Sequence, residues 1–173
     1  GADAFYLCDN NSRDQSIHVA RESVSGVQYS LIRSKENNFP QRKVINELKT
    51  MALRDGHQWL FPIDADEFLC LNAEYGNLKE WIEEKEDLFF PPNFVCEYQY
   101  KNIMPNGVYW VEPEHRKVFG KIKPEWNISI GNHEIENHDS FFEMESIWLN
   151  HYQYRSYEQF KRKKLTFFKA FEK

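Results

Sequence analysis

Cysteine is scarce in this chain: Cys8, Cys70 and Cys96 are the whole complement. An odd number without a spacing motif favours reduced thiols and a cytoplasmic compartment over a disulfide framework. No apolar run approaches the ~18 residues of a membrane span, and no signal peptide is recognisable. An excess of positive charge is also lacking. The 22 Lys and Arg stand against 27 Asp and Glu, a formal charge of −5, which argues against a nucleic-acid partner. Repeats, linkers and low-complexity segments are missing, and so is a glycine-rich phosphate loop.

What is present is apolar and aromatic. Hydrophobic residues make up 41% and aromatics 16% of 173 residues, enough for one folded domain with a real core. Most of the Phe, Tyr and Trp are expected in that core, although aromatic-rich clefts also suit sugars. Two basic stretches, Lys161 to Lys164 and Arg116, Lys117, Lys121, Lys123, read as solvated surface, with phosphate-facing cations as the alternative. The apolar start after Gly1, without Met, and the stop at Lys173 read as a piece of a longer chain.

Hydrophobic patterning predicts strands over Ala4 to Cys8 and Val27 to Ile32, joined by a polar loop from Asp9 to Ser12. A helix opening near Asn38-Phe39-Pro40 carries Val44, Ile45, Leu48, Met51 and Ala52 on one face and stops at Gly56. A third strand is predicted over Trp59 to Ile63, with Pro62 awkward inside it because proline cannot donate to a ladder. Asn77 to Glu80 resembles a capping box for a second helix. Short strands follow at Val95 to Tyr100, Val108 to Val111, Val118 to Ile122, Asn127 to Ile130 and Ser146 to Leu149. Ser156 caps a final amphipathic helix bearing Phe160, Phe167, Phe168 and Phe171. The sum is an α/β domain with a mixed sheet flanked by helices.

The densest chemical signal is Trp59-Leu60-Phe61-Pro62-Ile63-Asp64-Ala65-Asp66-Glu67-Phe68. An apolar strand there delivers three acids at its C-terminal end, the usual ligand side of an open α/β sheet. If the strand persists, Asp64 and Asp66 share a face. Two carboxylates about 5 Å apart repel by roughly 3 kcal/mol at an effective dielectric near 20. They call for a cation, a shared proton or strong donors. Mg²⁺ or Mn²⁺ answers that need, keeps positions open for phosphate oxygens and offsets charge on a departing diphosphate. Two other metal or phosphate motifs are excluded. Asp9 to Asp14 is no calcium loop, since Arg13, Asp14 and Ala20 occupy its fifth, sixth and twelfth positions. Phe68 stands where aspartyl phosphatases of D-x-D-x-T type need Thr.

Three blocks in order, Phe5 to Asp14, Trp59 to Phe68 and His151 to Lys161, resemble a family-2-like glycosyltransferase of GT-A type, in the "DADEF" branch that is also similar to family 92. The resemblance implies a GT-A-like (Rossmann-like) domain over residues 1–173. Its nucleotide-sugar half would be about 1–75 and its acceptor half about 76–173, with a first strand, ahead of Asp3, missing from this chain. It implies a nucleotide-sugar donor, often a UDP-sugar, a glycan or other hydroxyl acceptor, and Mn²⁺ or Mg²⁺. Asp66 would be the principal metal ligand and Asp64 would approach the ribose or the metal. Asp9 would contact the base, and His151 would join the metal or diphosphate. Arg155 and Lys161 would hold the leaving phosphate, and Lys117 lies in a segment similar to the family's basic strand.

An inverting transfer needs a general base, for which the candidates are Glu97, His133 and Glu134. A non-catalytic carbohydrate- or metal-binding module built on the same sheet is the second reading. A metal-dependent nucleotidyltransferase is the third. The expected location is cytoplasmic, peripheral to a membrane through regions outside this chain.

Overall fold

Strands β1 (Ala4–Asp9) and β2 (Gln28–Arg33) pair in parallel, from Ala4 opposite Gln28 to Asp9 opposite Arg33. A parallel pair needs a crossover, and helix α1 (Ser16–Ser23) provides it where the sequence suggested only a polar loop. Asp14 Oδ1 accepts hydrogen bonds from the Ser16 amide and hydroxyl at the helix entry. No residue of α1 is buried; its half-buried apolar positions, Ile17 and Ala20 with Val24 beyond its end, are too few over two turns to show a period. The computed structural model describes residues 1–34, 40–89, 94–107, 109–111, 116–138, 140–154 and 156–162.

Helix α2 (Gln41–Arg54) buries Val44, Leu48 and Ala52, spaced four apart as a core-facing stripe requires. The chain turns off it through Gly56, whose φ of 87° lies in the left-handed region. The predicted opening at Asn38-Phe39 lies outside the described residues. Lys49 shares the buried face, and its ammonium donates to the carbonyls of Pro124 (2.9 Å) and Trp126 (2.6 Å). Helix α3 (Leu78–Phe89) begins with a shifted capping box. Asn77 Oδ1 accepts from the amides of Lys79 and Glu80, while the Glu80 carboxylate reaches back to the Gly76 amide.

The principal sheet has six strands. Its order is β3 (Trp59–Leu60), β7 (Lys117–Lys121), β5 (Phe94–Ile103), β10 (Ser140–His151), β4 (Glu67–Leu71), with β6 (Tyr109–Val111) also beside β5. Only β5 and β10 run parallel within it. On one face Trp81 of α3 packs with Cys96, Tyr100, Phe119, Ile147 and Leu149. On the other, Val95 and Val118 pack with Trp126, Ile128 and Ile135, backed by Ile45 of α2. Ile128 and Ile135 belong to a small antiparallel pair, β8 (Asn127–Ile128) and β9 (Ile135–Glu136).

Strand β10 is irregular. Met144 lies opposite Tyr98 of β5, yet Trp148 lies opposite the next residue, Gln99. Glu145, Ser146 and Ile147 are therefore extra on the β10 side, and the odd number reverses its facing. The Ser146 hydroxyl accepts from the Trp81 indole N–H at 2.8 Å, tying the bulge to α3.

The third strand is shorter than predicted. Its ladder covers Trp59 and Leu60 alone, paired with Lys121 and Gly120, and Phe61 to Asp64 carry no strand assignment. Pro62 thus sits where no ladder bond is asked of it. The two-residue β9 was not foreseen, being too short to show a period. At the C-terminal side 157–162 is helical, capped by Ser156 Oγ accepting from the Gln159 amide. Phe167, Phe168 and Phe171 lie outside the described residues. Among the described residues no helix is long and apolar enough to cross a membrane.

Candidate functional site

Strands β5 and β10 end, and β4 and β7 begin, along one border of the six-stranded sheet. His151, the last residue of β10, is opposite both Glu67 of β4 and Asn102 of β5. Lys117 opens β7. The segment after β3 enters this border as a turn, closed by the Glu67 amide donating to the Asp64 carbonyl at 3.0 Å. The expected shared strand face for Asp64 and Asp66 is therefore corrected: the turn sends them to different partners. Asp64 Oδ2 is 2.7 Å from Lys117 Nζ, and Asp66 Oδ1 is 3.7 Å from His151 Nε2. The Tyr152 amide donates to the Asp66 carbonyl and ties the turn to the exit of β10.

Glu67 anchors the turn from within. Its side chain has no solvent exposure. Oε1 accepts from the Tyr100 hydroxyl (2.9 Å) and lies 2.8 Å from Lys117 Nζ, while Oε2 accepts from the Asp64 amide at 2.7 Å. Lys117 is 2% exposed, so it is an internal counter-ion and not the solvated surface cation suggested by its basic neighbours. Alternation along β7 accounts for this: Lys117 projects to the same side as buried Phe119, and Arg116 to the other. Two of the three clustered acids, Asp64 and Glu67, therefore share one protein cation. Burial, followed by the negative charge of Glu67, Asp64 and Asp66, holds the Tyr100 phenol above its ordinary range. It stays a protonated donor to Glu67.

His151 is held on its other side. Its Nδ1 lies 2.9 Å from Asn102 Oδ1, and its ring centroid is 5.0 Å from that of Tyr100. Asn102 is 2% exposed and was absent from the sequence expectations. The predicted strand stopped at Tyr100; continued by two residues, it places Asn102 on the same face.

The remaining candidates are distributed as follows. Asp9 closes β1 with its oxygens engaged locally, by the Ser12 amide (3.2 Å to each) and by Arg33 Nε at 3.2 Å. Glu97 is buried and paired with Arg116. It points to the face opposite that of Tyr100 and Asn102, so the structure does not bring it to the acid cluster. His133 Nδ1 lies 2.6 Å from the carbonyl of Arg116, the residue preceding Lys117. A carbonyl only accepts, so Nδ1 carries a proton, and only the neutral ring would have a lone pair on Nε2. The ring folds over Gly131, where φ is 77° and a Cβ would sit 2.5 Å from its atoms. Glu134 is exposed, and its backbone closes a turn with Ser129. Lys161 is exposed on the terminal helical turn, and Arg155 lies outside the described residues.

Among the described residues no three of His, Cys, Asp and Glu converge as a ready-made metal cage. Asp66 and His151 offer one oxygen and one nitrogen donor, 3.7 Å apart. This donor set does not fit a structural zinc site, which takes four protein ligands. It fits a hard divalent ion that keeps water and phosphate oxygens in its other positions. No family model matches the sequence, and no curated protein shows significant similarity to it.

Proposed function

We propose that this chain is the nucleotide-sugar-binding core of a metal-dependent glycosyltransferase of GT-A type, acting on a hydroxyl acceptor. One observation carries the reading: the Asp64–Asp66 turn and His151 meet at the sheet border, Asp64 being charge-balanced by Lys117 while Asp66 faces the histidine. Asp66 and His151 would hold Mn²⁺ or Mg²⁺, which offsets charge on a diphosphate leaving group when bound. Asp64, at 42% side-chain exposure, remains open to a ribose hydroxyl. His133, when neutral, has its lone pair on Nε2, the tautomer that a general base for the acceptor hydroxyl requires. Glu97 is a poor candidate, since Arg116 holds its carboxylate on the far face.

Calorimetry of UDP in the presence of Mn²⁺ tests the proposal. Asp66→Ala is expected to weaken binding by at least the roughly 10–100-fold that follows loss of an outer-shell metal partner. Unchanged binding removes Asp66 from its role and the metal reading with it. A binding-only module is the second reading, favoured by the buried Lys117, which sets a positive charge between Asp64 and Glu67 without a metal. Sustained release of UDP from a UDP-sugar by the unsubstituted protein excludes it.

A further inference from the structure

The contacts of His151 define its proton more closely than its role as a ligand requires. Asn102 Oδ1, the atom 2.9 Å from Nδ1, is an acceptor without a hydrogen. The ring therefore donates from Nδ1, and in its neutral form the Nε2 lone pair lies on the Asp66 side. The distance on that side agrees. At 3.7 Å, His151 Nε2 and Asp66 Oδ1 are too far apart for an N–H···O hydrogen bond, as expected for two acceptors held face to face. With the amide turned the other way, the neutral ring's proton would sit on Nε2, beside the Asp66 carboxylate. Asn102 is itself enclosed: it is 2% exposed and sits in the ladder opposite His151.

We infer that Asn102 is a positioning residue that locks His151 in its Nδ1–H tautomer, so that Nε2 and Asp66 together present a nitrogen and an oxygen donor to a divalent cation. This inference rests on the metal-dependent reading above and adds the residue that orients its nitrogen ligand. The chemistry is that of an outer-shell partner, which sets tautomer and ring direction without touching the ion.

Long-range ¹H–¹⁵N spectra of the metal-free protein read the tautomer directly. The unsubstituted chain is expected to show His151 protonated at Nδ1. Asn102→Asp keeps the acceptor and should keep that signature. Asn102→Leu matches the volume, removes the acceptor, and should move the proton to Nε2, where Asp66 can accept it. Mn²⁺ added alone should bind about 10–100-fold more weakly to Asn102→Leu and close to normally to Asn102→Asp. An Nε2–H signature in the unsubstituted chain overturns the inference, and needs no variant to fold. So does an unchanged signature in Asn102→Leu. The expected tautomer with no Mn²⁺ binding in any form would instead overturn the metal reading, so the two failures are distinguishable.

Discussion

Lys117→Met is the most informative substitution in the cluster, because it removes a charge while keeping most of the side-chain volume. The ammonium lies 2.7 Å from Asp64 Oδ2 and 2.8 Å from Glu67 Oε1. At an effective dielectric near 20 each contact is worth about 6 kcal/mol of attraction, most of it offset by the desolvation of the ions. What remains after substitution differs between the two acids. Asp64 is 42% exposed and regains water, whereas Glu67 is wholly enclosed. An uncompensated buried charge costs about 3–5 kcal/mol, a large share of the ~5–15 kcal/mol that holds a domain together. Urea unfolding should show that loss as a lowered midpoint. Glu67→Gln in the same chain removes the stranded charge; its amide oxygen can accept from the Asp64 amide while its NH2 donates to the Tyr100 hydroxyl oxygen, so Lys117→Met/Glu67→Gln should recover most of the stability. The four proteins form a double-mutant cycle whose coupling should exceed ~1 kcal/mol. A loss below ~1 kcal/mol, or no recovery in the double variant, would refute the internal ion-pair account.

Two further outcomes are expected. Gly131→Ala places a methyl 2.5 Å from the His133 ring at a φ of 77°; it should cost about 1–2 kcal/mol in urea unfolding and shift the His133 imidazole resonances as the ring leaves the Arg116 carbonyl. Unchanged resonances would show that the glycine is not what seats the ring. The second concerns alkaline pH. The folded Tyr100 phenol titrates above its ordinary value near 10, so its contribution to stability is fully present below pH 10. It is lost as pH rises from there toward the folded value, because the unfolded chain releases the proton first. Unfolding free energy should fall above pH 10, and Tyr100→Phe should flatten that fall by up to ~1.4 kcal/mol per pH unit; equal slopes in the two proteins would contradict the assigned burial.

The sequence made most of the strands and two of the longer helices legible, for one reason: those elements bury a face. Val44, Leu48 and Ala52 disclose α2 because they line one stripe. Helix α1 buries nothing and disclosed nothing. The border residues divide in the same way. Asp64 and Asp66 stood out as acids closing an apolar run, while His151 was pointed to only by the resemblance of its block. The backbone turn that separates Asp64 from Asp66 did not, because alternation presumes a continuous strand, and the strand stops at Leu60. Lys117 looked like its neighbours Arg116, Lys121 and Lys123; a single chain does not display which lysine of a basic run points inward. Asn102 was hidden by a strand end placed two residues early. The inward turn of Lys117 depends on partners brought from other elements, which is information that local pattern does not hold.

The irregular stretch Glu145–Ile147 acts as a phase shifter for the end of β10. Before it Met144 looks toward α3; after it Ile147, Leu149 and His151 do. Even-numbered positions thus give way to odd-numbered ones. The pairing of His151 opposite Glu67 and Asn102 holds the imidazole on the α3 side of the sheet, and a slip of one residue between β10 and those strands would carry it to the other side. The side of the sheet that His151 occupies is thus tied to three supernumerary residues, pinned to Trp81 by one serine hydroxyl.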